Sequence, residues 1–233
     1  MTGRTSSCAR GGPRSSEAVA AEIAREGGRA RVLTLDVGDA ERTVAEIRAI
    51  DEELGGLDLV VANAGIGRTM PIEKLTWESI APMIQVNFTG AIATLTAALP
   101  GMLARRRGHL VAVSSLAAIT ALPSGAAYCA TKSGLSTFLE SMRIDLEGSG
   151  VRVTTVVPGV VETPMSTKAK KLPPFMMPVE AAVDLIVERL AKAPAVIEFP
   201  FPMSATMHLI AALPRPLRDA AVRRFPVPEE PDA

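Results

Sequence analysis

Short apolar runs alternate with helix-like segments along most of this 233-residue chain, and this alternation limits the folds that it can adopt. The run at 57–62, Leu-Asp-Leu-Val-Val-Ala, is apolar at nearly every position, as in a strand that is buried on both faces. Strands are predicted at 31–35, 57–62, 109–114 and 151–157, and helices at 16–26, 40–53, 76–106, 125–147 and 179–192. Alternating elements of these lengths indicate an α/β fold, in which a parallel sheet carries helices on both faces.

The predicted elements form one domain, which spans residues 16–233. Residues 1–15 are atypical, because they are rich in Arg and Ser and lack the apolar stretch of a secretory signal. Beyond about residue 158 the chain becomes rich in Pro and Met, and the irregular stretch 160–178 is predicted to be a substrate loop. Residues 194–233 form a C-terminal extension.

Composition argues against several classes of function. The chain has 25 basic and 25 acidic residues, so no electrostatic case exists for binding nucleic acid or an anionic membrane. Cys8 and Cys129 are far apart, which indicates a reduced interior rather than a disulfide scaffold. His109 and His208 are isolated, so no metal site is predicted. Together these features favour a cytoplasmic protein.

Small polar or glycine motifs follow four of the predicted strands. In chain order they are Asp36-Val37, Asn63-Ala64-Gly65, Ser114-Ser115 and Pro158-Gly159. Each motif alone is also typical of a turn or a helix cap. Because ligands in parallel sheets bind beyond the carboxyl ends of the strands, the joint order of the motifs indicates a binding site at that edge.

The only tyrosine, Tyr128, precedes Lys132 by four residues. In a helix this spacing puts both side chains on one face, one turn apart. A neighbouring ammonium favours the phenolate and is expected to lower the tyrosine pKa from about 10 toward neutral pH. Tyr128 is therefore a candidate general acid/base. The alternative for an isolated pair is a packed aromatic ring beside a solvated lysine.

The order of these motifs resembles the short-chain dehydrogenase/reductase family over roughly residues 16–193. The matching motifs are N-A-G at 63–65, V-N-x-x-G at 86–90, S-S followed by Y-x-x-x-K, and P-G-x-V-x-T-P-M at 158–165. The resemblance implies a doubly wound parallel sheet of the Rossmann type that binds NAD or NADP. It also implies hydride transfer between an alcohol and a ketone or aldehyde.

The same resemblance implies a role for each matching residue. Ser115 would hydrogen-bond the substrate oxygen, Tyr128 would transfer its proton, and Lys132 would lower the tyrosine pKa and bind the nicotinamide ribose. Asn87 would hold a water in the proton relay behind the lysine. The other cofactor-binding residues would be Asp36 and Val37 at the adenine, Asn63, Ala64 and Gly65 at the adenosine ribose, and Val161 and Thr163 at the carboxamide and phosphate, with Pro158 and Gly159 in the same loop.

The N-terminus departs from the family pattern, which opens with a strand, a T-G-x-x-x-G-I-G turn and a helix whose amides hold the cofactor pyrophosphate. Thr2-Gly3 repeats only the first letters, and Ser7 and Ala9 stand where the later glycines are expected. No strand is predicted there, and Gly11 and Gly12 alone would make a poor phosphate site. The first strand, the glycine-rich turn and the first helix are therefore expected to be missing, as in a truncated or frame-shifted product.

Two hypotheses about function follow. The first is an NAD(P)-dependent oxidoreductase for a small alcohol or carbonyl compound, with an apolar substrate favoured by Met165, Phe175, Met176 and Met177 in the loop. The second is a catalytically silent or truncated relative that acts only through protein interfaces. Segment 195–213, whose single charge is Glu198, is expected to cover the substrate pocket or to pack at the interface of a homo-oligomer. Peripheral membrane contact is the lesser alternative.

Overall fold

The computed structural model describes the backbone of residues 3–7 and residues 16–67, 69–163, 166 and 175–225. The strands are β1 Gly3–Ser7, β2 Arg29–Leu33, β3 Leu59–Ala62, β4 Gly108–Val113, β5 Val151–Pro158 and β6 Val196–Phe199. The helices are α1 Ser16–Arg25, α2 Ala40–Glu53, α3 Trp77–Ile84, α4 Ala91–Arg105, α5 Ala126–Asp145, α6 Val179–Leu190, α7 Phe201–Ala212 and α8 Arg215–Val222. The predicted alternation of strands and helices is confirmed.

The strands of the described residues form two parallel sheets. The larger sheet has the order β3-β4-β5-β6, and every neighbouring pair in it is parallel. The smaller sheet pairs β1 with β2, from Gly3 opposite Arg29 to Ser7 opposite Leu33. Parallel neighbours need long crossover connections, which the helices supply. The chain therefore has the doubly wound parallel architecture that the sequence predicts.

The core lies on both faces of the larger sheet. On one face, Leu110 of β4 belongs to a buried cluster with Leu95 and Met102 of α4 and with Leu135 and Leu139 of α5. On the other face, the buried cluster contains Val111, Val156, Ile197, Phe199 and Ala182 of α6. Burying each large side chain stabilises the fold by roughly 1.5–3 kcal/mol, so these two layers fix the helices against β4 and β5.

Helix α3 continues into α4 through a π-helical turn, Gln85–Gly90. The whole helical segment Trp77–Arg105 is long and apolar enough, by length and composition alone, to cross a membrane. Its α4 portion buries Leu95, Ala98 and Met102 in the core of the α/β domain, which accounts for that apolar composition. The π-helical turn carries Asn87 into the interior, next to the predicted site.

Two predictions for the N-terminal part need correction. The strand predicted at 31–35 is Arg29–Leu33, because Leu35 and Val37 are buried in the loop after the strand rather than in the sheet. No strand was predicted before α1, whereas the structure has β1 at Gly3–Ser7. This segment is polar and therefore lacks the apolar pattern that predicts a strand, yet it pairs with β2 through backbone groups. Cys8, Gly11 and Gly12 lie outside the described residues.

Strand β3 is at the edge of the larger sheet, and its second edge pairs with none of the described strands. In the common doubly wound order 3-2-1-4-5-6, the first strand lies between the second and the fourth. β2, β1 and β3 match positions 3, 2 and 4 of that order, so no described strand occupies position 1. Leu59 and Val61, which share one face of β3, are 50% and 45% exposed.

The open edge of β3 predicts self-association, because unpaired strand edges and exposed apolar side chains favour contact between copies. Val61→Lys should weaken that association, measured by analytical ultracentrifugation, because lysine on an edge strand disfavours pairing. It should hardly change thermal unfolding. The matched control is Val60→Lys at the neighbouring position, which is 6% exposed and where a buried charge should strongly destabilise the fold. Association that Val61→Lys leaves unchanged would contradict the prediction.

Two linked hydrogen bonds between buried polar groups join His109, Thr154 and Pro194. His109 Nε2 is 2.8 Å from Thr154 Oγ1, and the Thr154 hydroxyl donates to the carbonyl oxygen of Pro194 at 2.6 Å. Since the hydroxyl has one proton, it accepts the hydrogen bond from His109. Burial lowers the pKa of His109 to about 4, and the nearby charge of Arg152 contributes in the same direction. His109 is therefore a neutral structural residue.

This pKa predicts a loss of stability in acid. The folded pKa lies below the unfolded value near ~6.5, so the unfolded chain binds more protons between the two values. The contribution of neutral His109 should be fully present above pH ~6.5 and should be lost as pH falls toward about 4. Urea unfolding across this range should show a weaker pH dependence for His109→Gln than for the wild type. The control Ser141→Gln, which changes an exposed residue without an ionisable side chain, should keep the wild-type dependence.

Candidate active site

The predicted motif residues meet at the carboxyl edge of the larger sheet. The loop 63–67 follows β3, Ser114 and Ser115 follow β4, and Gly159 follows β5. Helix α5 begins at Ala126 and carries Tyr128 and Lys132 in its first two turns. Because β4 is paired with both β3 and β5, the three loops are neighbours in space as well as in pattern.

Ser115, Tyr128 and Lys132 are brought together as predicted. Lys132 Nζ lies 5.9 Å from the centre of the Tyr128 ring, one turn along α5. The Ser115 side chain is near enough to Tyr128 to oppose, as a hydrogen-bond donor, the rise of the phenol pKa. Ser115 Oγ also accepts a hydrogen bond from the backbone of Ala117 at 3.1 Å, at the start of a short 3₁₀ helix. With its oxygen accepting from Ala117, the Ser115 hydroxyl is oriented to donate its own proton toward Tyr128.

Lys132 is 4% exposed, and its Nζ donates to the carbonyl oxygen of Val113 at 2.7 Å. Burial lowers the pKa of Lys132 to about 8. A Cβ on Gly65 would lie 3.5 Å from Lys132 Nζ and 3.4 Å from Asn87 Oδ1, so the loop after β3 runs directly beside the ammonium. The lysine can therefore change its charge within an ordinary working range of pH.

The pKa of Tyr128 corrects a prediction. Burial raises the pKa of the phenol, the hydrogen bond from Ser115 opposes this rise, and Cys129 adds to it. Lys132 was expected to lower the pKa instead. The reason is that removing the phenolate from water costs more than the hydrogen bond recovers, while the neighbouring ammonium is itself easily deprotonated. Tyr128 therefore holds its proton at neutral pH.

Asn87 is fully buried, and its side chain binds the backbone of Ile66 twice. The Ile66 amide donates to Asn87 Oδ1 at 2.8 Å, and Asn87 Nδ2 donates to the Ile66 carbonyl oxygen at 2.8 Å. The second Nδ2 proton points toward Thr131 Oγ1 at 3.4 Å. Asn87 was predicted to hold a water. That role stays a prediction, and both side-chain amide protons fasten the loop after β3 to the π-helical turn and α5.

Ser114 has a positioning role that the sequence pattern did not predict. It is 2% exposed, its Oγ donates to the Lys132 carbonyl oxygen at 3.1 Å, and it lies 2.7 Å from Ser136 Oγ. Ser133 Oγ donates to the Ala118 carbonyl oxygen at 2.7 Å. These bonds fasten the end of β4 and the following 3₁₀ helix to α5. The sequence signal that could have revealed this role is the pair of serines on α5, Ser133 and Ser136, which lie one and four residues after Lys132.

Asp36 and Val37 lie in the loop after β2. Asp36 is exposed, and its Oδ1 accepts a hydrogen bond from the Gly38 amide at 2.9 Å, which closes the loop. Val37 is buried, and a Cβ on Gly90 would collide with its carbonyl oxygen. The glycine of the V-N-x-x-G motif therefore allows this loop to lie directly on the π-helical turn. The two predicted adenine contacts thus adjoin the element that carries Asn87.

The loop after β3 contains Asn63, Ala64 and Gly65, the first exposed and the others half-buried. Besides its bonds to Asn87, the loop is tied at its far end, where the Met70 amide donates to the Ser124 carbonyl oxygen at 2.8 Å. It therefore runs from the sheet edge to the segment before α5, and it flanks the catalytic candidates on one side.

The loop after β5 starts with Pro158, the last residue of that strand. The Gly159 amide donates to the Phe199 carbonyl oxygen at 2.7 Å, and a Cβ there would be 2.9 Å from Met203 Sδ. Val161 forms a parallel bridge with Met177, and Thr163 N donates to Ser166 Oγ at 2.9 Å. The two ends of the predicted substrate loop are thus held together. Residues 164, 165 and 167–174 of that loop lie outside the described residues.

These residues fit the nicotinamide half of NAD(P). The buried ammonium of Lys132, the phenol of Tyr128 and the hydroxyl of Ser115 are the groups that a ribose and a reacting carbonyl require. The pyrophosphate half differs, because none of the described residues occupies the sheet position between β1 and β3. Within the described part of the chain, no group of three or more metal-ligating side chains comes together.

The single tyrosine makes the site directly measurable, because tyrosinate absorbance in the ultraviolet reports Tyr128 alone. Its titration midpoint should lie above the ordinary value, and Ser115→Ala should move it higher, since the hydrogen bond from Ser115 lowers the pKa. Ser141→Ala, at an exposed position on α5, should leave it unchanged. Circular dichroism over the same pH range checks that the fold persists. A midpoint that Ser115→Ala does not raise would contradict the assigned hydrogen bond.

Sequence comparison places the chain among known oxidoreductases. Residues 3–173 match the family described as short chain dehydrogenase. An uncharacterised oxidoreductase of Myxococcus xanthus is 47% identical over 193 residues, which cover 83% of this chain and 76% of that protein. The probable oxidoreductase EphD of Mycobacterium bovis is 39% identical over 145 residues, which cover 62% of this chain but only 24% of that longer protein.

Solved structures share the fold. A short chain dehydrogenase from Burkholderia cenocepacia in complex with NADP has a TM-score of 0.71 and 25% identity, over 85% of this chain and 80% of that one. An alcohol dehydrogenase from Thermococcus sibiricus, complexed with 5-hydroxy-NADP, has a TM-score of 0.67 and 28% identity, over 78% of this chain and 79% of that one. Together with the assembled serine, tyrosine and lysine, these matches show that the chain belongs to the short-chain dehydrogenase/reductase family, an NAD(P)-binding family of Rossmann-fold oxidoreductases.

Proposed function

We propose that this chain interconverts an alcohol and a ketone or aldehyde with NAD(P), and that Tyr128 is the general acid/base. The observation that carries the proposal is the preassembled group of Ser115, Tyr128 and Lys132 at the carboxyl edge of the sheet. Family membership supports an oxidoreductase, and the NADP complexes of the solved relatives support the cofactor.

NAD(P), when bound, supplies the hydride chemistry, so the protein must position the reactants and manage one proton. In this proposal Lys132 and the loop with Asn63, Ala64 and Gly65 hold the riboses. Val161 and Thr163 meet the carboxamide and phosphate, and Asp36 and Val37 contact the adenine. The ribose position is supported by the closeness of this loop to the lysine, since a Cβ on Gly65 would lie 3.5 Å from Lys132 Nζ.

The proton step uses the two hydroxyl groups. During reduction of a carbonyl, Tyr128 gives its proton to the developing alkoxide, and Ser115 donates a hydrogen bond to the same oxygen. The raised pKa of Tyr128 keeps the phenol protonated beforehand. Lys132 then stabilises the phenolate that remains, and with a pKa of about 8 it has the required charge at neutral pH. During oxidation of an alcohol the same steps run in reverse.

A second hypothesis is that the chain binds cofactor too weakly for turnover and acts through protein interfaces. The observation that favours it is the absence of a described strand between β1 and β3, where the pyrophosphate turn of a doubly wound sheet lies. Calorimetry with NADH and NADPH separates the two hypotheses. Micromolar binding by the chain supports the enzyme, whereas no measurable binding supports the silent relative.

The catalytic role of Tyr128 is tested by Tyr128→Phe, which keeps the ring and removes the transferable proton. Reduction of a panel of ketones and aldehydes, followed by the absorbance of the reduced nicotinamide, should fall by about 10²–10⁴-fold. Thermal unfolding should hardly change, because the ring still packs. Ser141→Ala, exposed on the same helix, is the control and should keep full turnover. Wild-type turnover in a clean Tyr128→Phe preparation would exclude the proposed role.

A further inference from the structure

Helix α7 is apolar on both of its faces. Its inner face buries Ser204, Met207 and Ile210 against the domain. Its outer face carries apolar residues with spacings of three and four, which keep them on one side of the helix: Phe201, Ala205, Leu209 and Ala212. Phe201 is 80% exposed and Leu209 is 67% exposed. Nothing in the described part of the chain covers these two large side chains.

Positive charge is concentrated directly beside this apolar face. Helix α8 follows after the short connection Leu213-Pro214 and packs against α7. Between 201 and 225 the sequence has one acidic residue, Asp219, and four arginines: Arg215, Arg218, Arg223 and Arg224. Leu217, which is 59% exposed, lies among them. Glu229, Glu230 and Asp232 follow outside the described residues, so the excess of positive charge belongs to the described helix pair α7 and α8.

We propose that α7 and α8 together form a surface that binds anionic lipid bilayers, here called the α7–α8 surface. An exposed apolar helix face bordered by arginines is the pattern by which helices lie in a membrane interface. The apolar side chains enter the headgroup region, and the arginines meet anionic lipids. Lipid binding through this surface does not depend on the proposed catalytic function.

The charge distribution favours a lipid surface over a second copy of the chain. A symmetric contact whose two-fold axis passes near α8 would bring the arginines of both copies together, and like charges placed together oppose association. Anionic headgroups remove this repulsion and leave the burial of Phe201 and Leu209 as the favourable contribution. Charge complementarity therefore selects the bilayer as the partner.

The α7–α8 surface also lies close to the candidate active site. Met207 on the inner face of α7 packs in one buried cluster with Leu116, the residue after Ser115, and Met203 adjoins Gly159. A chain docked by the outer face of α7 would hold its catalytic edge near the lipid. If the proposed function holds, this placement favours substrates that partition into bilayers.

The test is sedimentation of the whole 233-residue chain with vesicles of phosphatidylcholine alone or of phosphatidylcholine with phosphatidylglycerol. Binding is expected to the anionic vesicles and to weaken as salt is raised. Two variants should each lower the fraction bound by at least about tenfold: Phe201→Ser with Leu209→Ser, and Arg223→Gln with Arg224→Gln. Matched controls make the same kinds of change elsewhere, with Ile72→Ser at a 74% exposed position and Arg25→Gln with Arg48→Gln on α1 and α2.

Several outcomes would overturn the proposal. These are failure of the wild type to bind anionic vesicles, binding that both α7–α8 variants retain, and an equal loss in the controls. Self-association in ultracentrifugation that Phe201→Ser with Leu209→Ser abolishes, without vesicle binding, would assign the surface to a second copy instead. Circular dichroism and thermal unfolding verify that each variant is folded. The arginine variant, which leaves the apolar residues intact, decides the question if the serine variant is unstable.

Discussion

Hydrogen bonds between buried polar groups fasten the end of β4 to α5, and the arrangement of the catalytic candidates depends on them. Lys132 Nζ donates to the Val113 carbonyl oxygen, and Ser114 Oγ donates to the Lys132 carbonyl oxygen. A buried polar group without a partner is costly, so sliding α5 along β4 would forfeit both bonds at once. Because Ser115 follows Ser114 and Tyr128 lies one turn before Lys132, this single register brings the two hydroxyl groups into contact.

The burial that holds these residues in place also sets their proton affinities. It lowers the pKa of Lys132 to about 8 and raises the pKa of Tyr128, so at neutral pH the pair consists of an ammonium and a protonated phenol. This state suits an acid catalyst, because the phenolate formed by giving up the proton finds a positive charge next to it. Because stabilising the phenolate and lowering the tyrosine pKa are one effect, the raised pKa shows that burial outweighs the neighbouring charge.

Periodicity predicted the α/β fold, and the four-residue spacing predicted that Tyr128 and Lys132 share a helix face, because both follow from local patterns. That Ser115 joins them was implied by the family resemblance. What periodicity and spacing could not predict depends on packing between distant segments. Asn87 binds Ile66 because a π-helical turn carries it inward, and Ser114 meets Ser136 only when α5 lies on β4. β1 is not predicted from the sequence, because strand prediction relies on apolar residues, whereas this polar segment pairs with β2 through its backbone.

Buried side chains cover both faces of the sheet at β4 and β5, whereas one face of β3 is open. Parallel strands are stable when both faces are covered, and β4 and β5 meet this condition, whereas Leu59 and Val61 leave one face of β3 open. The proton-transfer residues are held by β4 and α5, within the covered part. Pyrophosphate binding in a doubly wound sheet belongs to the turn after the first strand, beside β3. Catalytic geometry and cofactor affinity are therefore physically separable in this chain. For that reason, an intact catalytic group does not by itself establish turnover, and cofactor binding has to be measured separately.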